Sequence, residues 1–224
     1  MKNFLVLLTI VCLMSPLVKA QSTSWNDPFP AVNTYGRNNL TLNDIEGSPY
    51  LDSEYQSGTV TIDDGTVYKG IPLRYNCYND VLEFEKDNKA YDLLPKTKIK
   101  RAEFGGQVFT YKDIGSGDKD SQSFFQILSE GKATLLGRFG IKFYEADELR
   151  GFADPKPARF DDLTETYYLS MNGGPAEKIG NKKNLIAAFG DKQKEIGTFI
   201  SKQRLGTKKV DDLKKIVEYY NSLK

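Results

Sequence analysis

The chain contains no histidine. That absence removes the usual general base, the commonest metal ligand and the side chain that titrates near neutral pH. Ser-His-Asp and Cys-His catalysis go with it. So do the usual zinc sites, whose ligand sets lean on Cys and His. Cysteine is almost as scarce: only Cys12 and Cys77 occur. Cys12 lies in an apolar leader, so Cys77 is left without an intramolecular disulfide partner once that leader is removed. Ile71, Leu73, Tyr75 and Cys77 share one side of an extended run. Cys77 therefore reads as a small buried apolar residue, not as a nucleophile. Excess charge of either sign is also missing, the formal net charge being +1. No nucleic-acid-binding motif is present, and no nucleic acid partner is expected.

Long hydrophobic runs are absent after the first twenty residues. Met1 and Lys2 give a basic start, Phe4 to Val18 is almost unbroken apolar sequence, and Val18-Lys19-Ala20 supplies small residues before a cleavage point. Residues 1–20 read as a secretory signal peptide, cut between Ala20 and Gln21. The run is shorter than the about 20 residues of a comfortable bilayer span, and no transmembrane span is expected after its removal. Thr9-Ile10-Val11 lacks the small residue that precedes a lipidated cysteine, which argues against an anchor at Cys12.

What remains is uneven in charge. Between Gln21 and Gly174 there are 17 Lys and Arg against 24 Asp and Glu; from Pro175 to Lys224 there are 12 against 6. Residues 21–46 form a polar leader, 47–174 a β domain and 175–224 a basic helical segment. In the β region, runs rich in Val, Ile, Tyr and Phe alternate with turn signals. Asp63-Asp64-Gly65, Asn79-Asp80, Asp87-Asn88, Gly105-Gly106 and Gly131-Lys132 each predict a hairpin. About nine strands result, in an antiparallel meander: a curved sheet, a small sandwich or a partial barrel. Leu135, Phe139, Ile141 and Phe143 are expected on one side of a single long strand, and Pro72 at a strand start.

After Gly180 the apolar period becomes helical. Asn181 is placed to cap one helix and Asp191 the next. Val210, Leu213, Ile216, Val217, Tyr220 and Leu223 mark the stripe of a third. Strands followed by three helices make the fold class α+β.

Several residues invite a functional reading. Asp113, Asp118 and Asp120 occupy a Gly-rich loop, but their spacing lacks the closing Glu of a calcium loop. No metal or other cofactor is expected. Glu83, Glu85, Glu103, Glu130 and Glu145 are the carboxylates available to a histidine-free hydrolase. Glu83 and Glu85 alternate with Leu82 and Phe84, the pattern of a charged outer strand face. Arg74, Asn76 and Tyr78 lie opposite Cys77 and form a possible ligand surface. With 13 Tyr and 13 Phe the chain is rich in side chains that suit carbohydrate or protein contacts. Asn39-Leu40-Thr41 fits a glycosylation acceptor.

Gly47-Ser48-Pro49-Tyr50-Leu51, Leu73-Arg74-Tyr75-Asn76 and Val217-Glu218-Tyr219-Tyr220-Asn221-Ser222-Leu223 together resemble a family of secreted envelope proteins of Bacteroidota. The resemblance runs from Gly47 to the C-terminus. It implies a bacterial origin and an envelope location, and it brings no catalytic residue to carry over. The expectation is a non-catalytic envelope protein, periplasmic or associated with the outer membrane, that binds an envelope protein or an extracellular glycan. The alternatives are a carboxylate-dependent hydrolase of extracellular polysaccharide and a carrier of a small ligand or lipid.

Overall fold

The computed structural model describes residues 45–115, 122–146 and 156–223. The predicted signal peptide, Asn39, Asp118 and Asp120 lie outside them. The first meander comprises β1 (Gln56–Ile62), β2 (Val67–Asn76), β3 (Val81–Lys86) and β4 (Lys89–Asp92). The second comprises β5 (Ile99–Phe104), β6 (Gln107–Asp113), β7 (Gln122–Ser129) and β8 (Ala133–Gly140). The expected turns join them. Gly65 has φ 88°, Asp87 and Asn88 have φ 52° and 56°, and Gly105 and Gly106 have φ 57° and 73°. These are the left-handed values that tight hairpins demand.

β11 (Thr164–Met171) and β12 (Glu177–Lys178) complete a ten-stranded antiparallel sheet of order β12-β11-β8-β7-β6-β5-β1-β2-β3-β4. The two meanders meet at one seam, where Thr59 faces Glu103 and Ile62 faces Ile99. Two short strands, β9 (Phe143–Tyr144) and β10 (Arg159–Phe160), pair separately. The described residues thus hold twelve strands, more than the spacing of the apolar runs predicts. The expected long strand through Phe143 stops at Gly140, and its continuation becomes β9. Pro72 lies inside β2, not at its start. It is tolerated there because pairing with β3 begins only at Leu73, leaving one side of β2 open at the proline.

The sheet is strongly curved. Four strand spacings separate β2 from β7, roughly 19 Å in a flat sheet. Yet the Tyr75 ring on β2 lies 6.1 Å from Phe124 on β7 and 6.4 Å from Phe139 on β8. The concave side is filled: Tyr75, Phe84, Phe109 and Phe124 are at most 1 % exposed. This packed interior leaves little room for the apolar cavity a lipid carrier would need.

The helices build a second core on the sheet. α1 (Lys182–Ala187), α2 (Gln193–Gln203) and α3 (Val210–Ser222) bring Leu185, Ile196, Ile200, Leu213, Ile216 and Val217 against Ala133, Leu135 and Leu169. Ala133, Leu135 and Phe139 share a face of β8 by strand alternation. That face serves the helical core at one end and the concave core at the other. Leu136 and Tyr168 turn to the opposite side and pack with Phe125 and Ala176. Asn181 caps α1 as expected, its side chain accepting from the Asn184 N–H at 2.9 Å. Asp191 does not cap α2: it sits in a preceding 3-10 turn, and the residue before α2 is Lys192, which makes no side-chain cap bond. No helix among the described residues is long and apolar enough to cross a membrane.

Candidate functional site

Arg74 and Asn76 are brought together by a residue that strand alternation assigns to the outside. Glu83 pairs with Arg74 in the β2–β3 register and is 0 % exposed. Its Oε2 accepts from Arg74 Nε at 2.9 Å and Nη2 at 2.7 Å; its Oε1 accepts from Asn76 Nδ2 at 2.9 Å. Asn76 in turn accepts from the Asn79 N–H at 3.0 Å, which fixes the following turn. The guanidinium lies over the rings of Tyr50 and Tyr55, at 3.7 and 4.3 Å. Burial works against the charge on Arg74, but the attraction and hydrogen bonds of Glu83 outweigh it and hold the guanidinium above its ordinary pKa. The segment before β1 thus covers what a lone hairpin would leave wet. This cluster is a structural clamp in which the Glu83 carboxylate is taken up by Arg74 and Asn76.

Tyr78 goes elsewhere. It is 47 % exposed, at the turn between β2 and β3, and its ring lies 6.0 Å from Phe143 and 5.4 Å from Phe160. Phe143 and Phe160 are 5.2 Å apart across the β9–β10 pair. Tyr144, 40 % exposed, pairs with Arg159 on the other face of β9–β10, with the guanidinium over its ring at 4.8 Å. The turn is anchored by Asp80, which has φ 51°. Its Oδ1 accepts from the Tyr75 hydroxyl at 2.7 Å and from the Phe124 N–H of β7 at 3.1 Å. Lys96 donates to its carbonyl at 2.6 Å. Asp80 therefore ties the tip of one meander to the second strand pair of the other.

Beside this anchored turn opens a cleft of about 290 Å³. Tyr78 and Asp80 form one side, and Arg138, Thr164, Thr166 and Tyr168 line the other. Thr166 faces Arg138 and Thr164 faces Gly140 in the β11–β8 register, so these side chains share one sheet face. The Thr164 hydroxyl donates to the Gly140 carbonyl at 2.8 Å. Arg138 is held by Ser123, which is 0 % exposed and whose Oγ accepts from Nε at 2.7 Å. An aromatic platform thus adjoins a polar, half-open cleft. Of the three residues expected to form a ligand surface, Tyr78 alone belongs to it, and Cys77 lines it as well. Arg138, Thr164 and Thr166 gave no local signal, because their association depends on β8 and β11 pairing across about 25 residues of intervening chain.

A second, shallower cavity of about 450 Å³ lies beside the Gly105-Gly106 turn, lined in part by Ser57, Thr59, Glu103 and Gln107. The expected carboxylates are dispersed. Glu83 is locked under Arg74, Glu103 and Glu130 both pair with Arg101, and Glu85 and Glu145 are exposed. Neither cavity gathers two carboxylates, since each holds one, Asp80 or Glu103. Asp113 ends β6 and accepts from Gln122 at 2.6 Å. Among the described residues no cluster of carboxylates and cysteine has the grouping of a metal site.

Cys77 is 4 % exposed, and burial, followed by the charge of Asp80, pushes its thiol up to about 12 from 9.0. A raised folded-state pKa leaves stability intact below the unfolded value and removes it as pH climbs toward the folded one. Stability is therefore expected to fall between pH 9.0 and about 12. Replacing Cys77 by Ala should flatten part of that decline in urea midpoints measured at rising pH. At neutral pH a thiol reagent should label Cys77 only after denaturant is added; rapid labelling of the folded protein would contradict its burial.

No family model matches the chain, and no curated protein or solved structure is significantly similar to it.

Proposed function

We propose that the chain is an exported, non-catalytic binding module of a bacterial cell envelope, and that the cleft beside Tyr78 holds part of an extracellular glycan. The apolar leader and the resemblance to secreted envelope proteins support the setting. The observation that carries the binding reading is the half-exposed Tyr78, backed by Phe143 and Phe160 and placed against the polar cleft of Asp80, Arg138, Thr164 and Thr166. Sugar rings present flat C–H faces that pack on aromatic rings, while their hydroxyls need both donors and acceptors at the edge. The cleft offers both. Glycoside hydrolysis asks for more, namely two carboxylates about 5–10 Å apart flanking the bond, and this cleft holds only Asp80, whose Oδ1 already serves the fold.

Replacing Tyr78 by Ala is expected to weaken glycan binding roughly tenfold, about 1.4 kcal/mol, as for a typical aromatic contact of moderate weight. Because Tyr78 is half in solvent, the same change should leave the melting temperature nearly unchanged. A glycan panel followed by calorimetric titration reads both quantities. Equal affinity of the variant and the parent for every glycan bound would remove Tyr78 from the site, and no binding to any glycan would end the reading.

A further inference from the structure

We infer that the cleft selects an acidic glycan, with Arg138 receiving the carboxylate of a uronic acid residue that packs against Tyr78. The inference rests on the glycan reading of the same cleft.

The argument begins with how the arginines are used. Arg74 is paired with Glu83, and Arg101 with Glu103 and Glu130. Arg159 lies against the ring of Tyr144. Among the described residues no carboxylate pairs with Arg138, Arg159 or the exposed Arg204, but of these only Arg138 lines the cleft, and the bond it makes, from Nε to the Ser123 hydroxyl, goes to a neutral group. That bond orients the guanidinium without neutralising it. It leaves the two Nη groups, which form the planar fork that matches a carboxylate.

Asp80, the other charge in the cleft, makes no ion pair with Arg138. Asp80 Oδ1 accepts from the Tyr75 hydroxyl and the Phe124 N–H, so Asp80 acts as the staple of its turn. The Thr166 side chain stands opposite Arg138 in register and adds a hydroxyl beside the fork. The half-buried position of Arg138 gives its charge a stronger pull on an anion than a fully solvated lysine would have. At about 290 Å³ the cleft sits at the lower bound of small-molecule sites. It suits one or two rings of a longer chain, the remainder running past the exposed Tyr78 ring.

The test is calorimetric titration of the purified protein with oligogalacturonate and with the same oligosaccharide after carboxyl reduction, which keeps the rings and removes the acids. The parent protein should prefer the acid form by about tenfold or more. The preference should shrink as salt is raised, because the pairing is electrostatic; this arm needs no variant. Arg138→Gln should abolish the preference, and Arg138→Lys should keep part of it, since the charge survives and the fork does not. Equal affinity for both oligosaccharides would overturn the acid selection and leave the glycan reading standing. Binding of neither would overturn the acid selection, and only the absence of binding across the whole glycan panel would overturn both. A preference retained in Arg138→Gln would place the acid on another residue and overturn the assignment. Tighter binding of polyglutamate than of oligogalacturonate would overturn it in favour of an acidic peptide partner.

Discussion

Replacing Arg74 by Met is expected to destabilise the protein by about 3–5 kcal/mol, the usual cost of removing one partner from a buried ion pair. Glu83 is 0 % exposed and relies on Arg74 for two of its accepted hydrogen bonds. Methionine fills a similar volume under Tyr50 and Tyr55 but leaves the carboxylate with Asn76 alone. The loss is therefore a desolvated charge, not a lost contact. The double replacement Arg74→Met with Glu83→Leu should recover most of the stability, because two apolar side chains in place of a buried pair are often neutral or better. Recovery should fall short by about 1–3 kcal/mol, since the Asn76 amide then lacks its acceptor. Urea denaturation of the two single variants and the double closes the cycle. If the single change at Arg74 cost less than about 1 kcal/mol, the pair would be behaving as an exposed surface bridge.

The second large effect is expected at α3. Leu213, Ile216 and Val217 are each 0 % exposed, and all belong to the core shared with β8 and β11. Ile216→Ala should cost about 2–5 kcal/mol through lost transfer energy and the cavity left behind. Asn221 adds a polar tie: its side chain accepts from the Ala133 N–H at 2.9 Å and donates to the Ala133 carbonyl at 2.8 Å, completing the first residue of β8. Removing Val210–Lys224 takes away all of these at once. Three such losses rival the about 5–15 kcal/mol that holds a domain together. The truncated chain should therefore show no cooperative melting transition. A shortened protein that still melted sharply near the parent temperature would mark α3 as a detachable segment.

These two regions differ in how far the sequence announces them. The stripe of Leu213, Ile216 and Val217 recurs at helical spacing, and the fold buries it as that period requires. The hairpins at Gly65 and Gly105-Gly106 were legible for a similar reason: a left-handed backbone admits few residue types. Glu83 was not legible. Alternation with Leu82 and Phe84 assigns it to a wet face, and only the tertiary cover from Tyr50 and the fork of Arg74 make burial tolerable. The cleft was only partly legible. Tyr78 could be singled out as an aromatic beside polar residues, but it meets Phe143 and Phe160 through a two-stranded pair absent from the apolar pattern. β9 and β10 are two residues each, too short to carry a period.

The seam between β1 and β5 has a consequence for how the chain reaches this state. Strands within each meander find their partners next to them in sequence, so each meander closes short loops. Val60 must instead wait for Ala102, which arrives about 40 residues later. Closing that loop is a slow, non-local event compared with hairpin zipping. The two meanders are therefore expected to form early and to join late. In the interval β1 offers an unpaired strand edge to any other chain emerging nearby. For a chain synthesised from its N-terminus, that interval lasts at least until β5 has emerged, and it is the stage at which a chaperone would shield the most exposed strand edge.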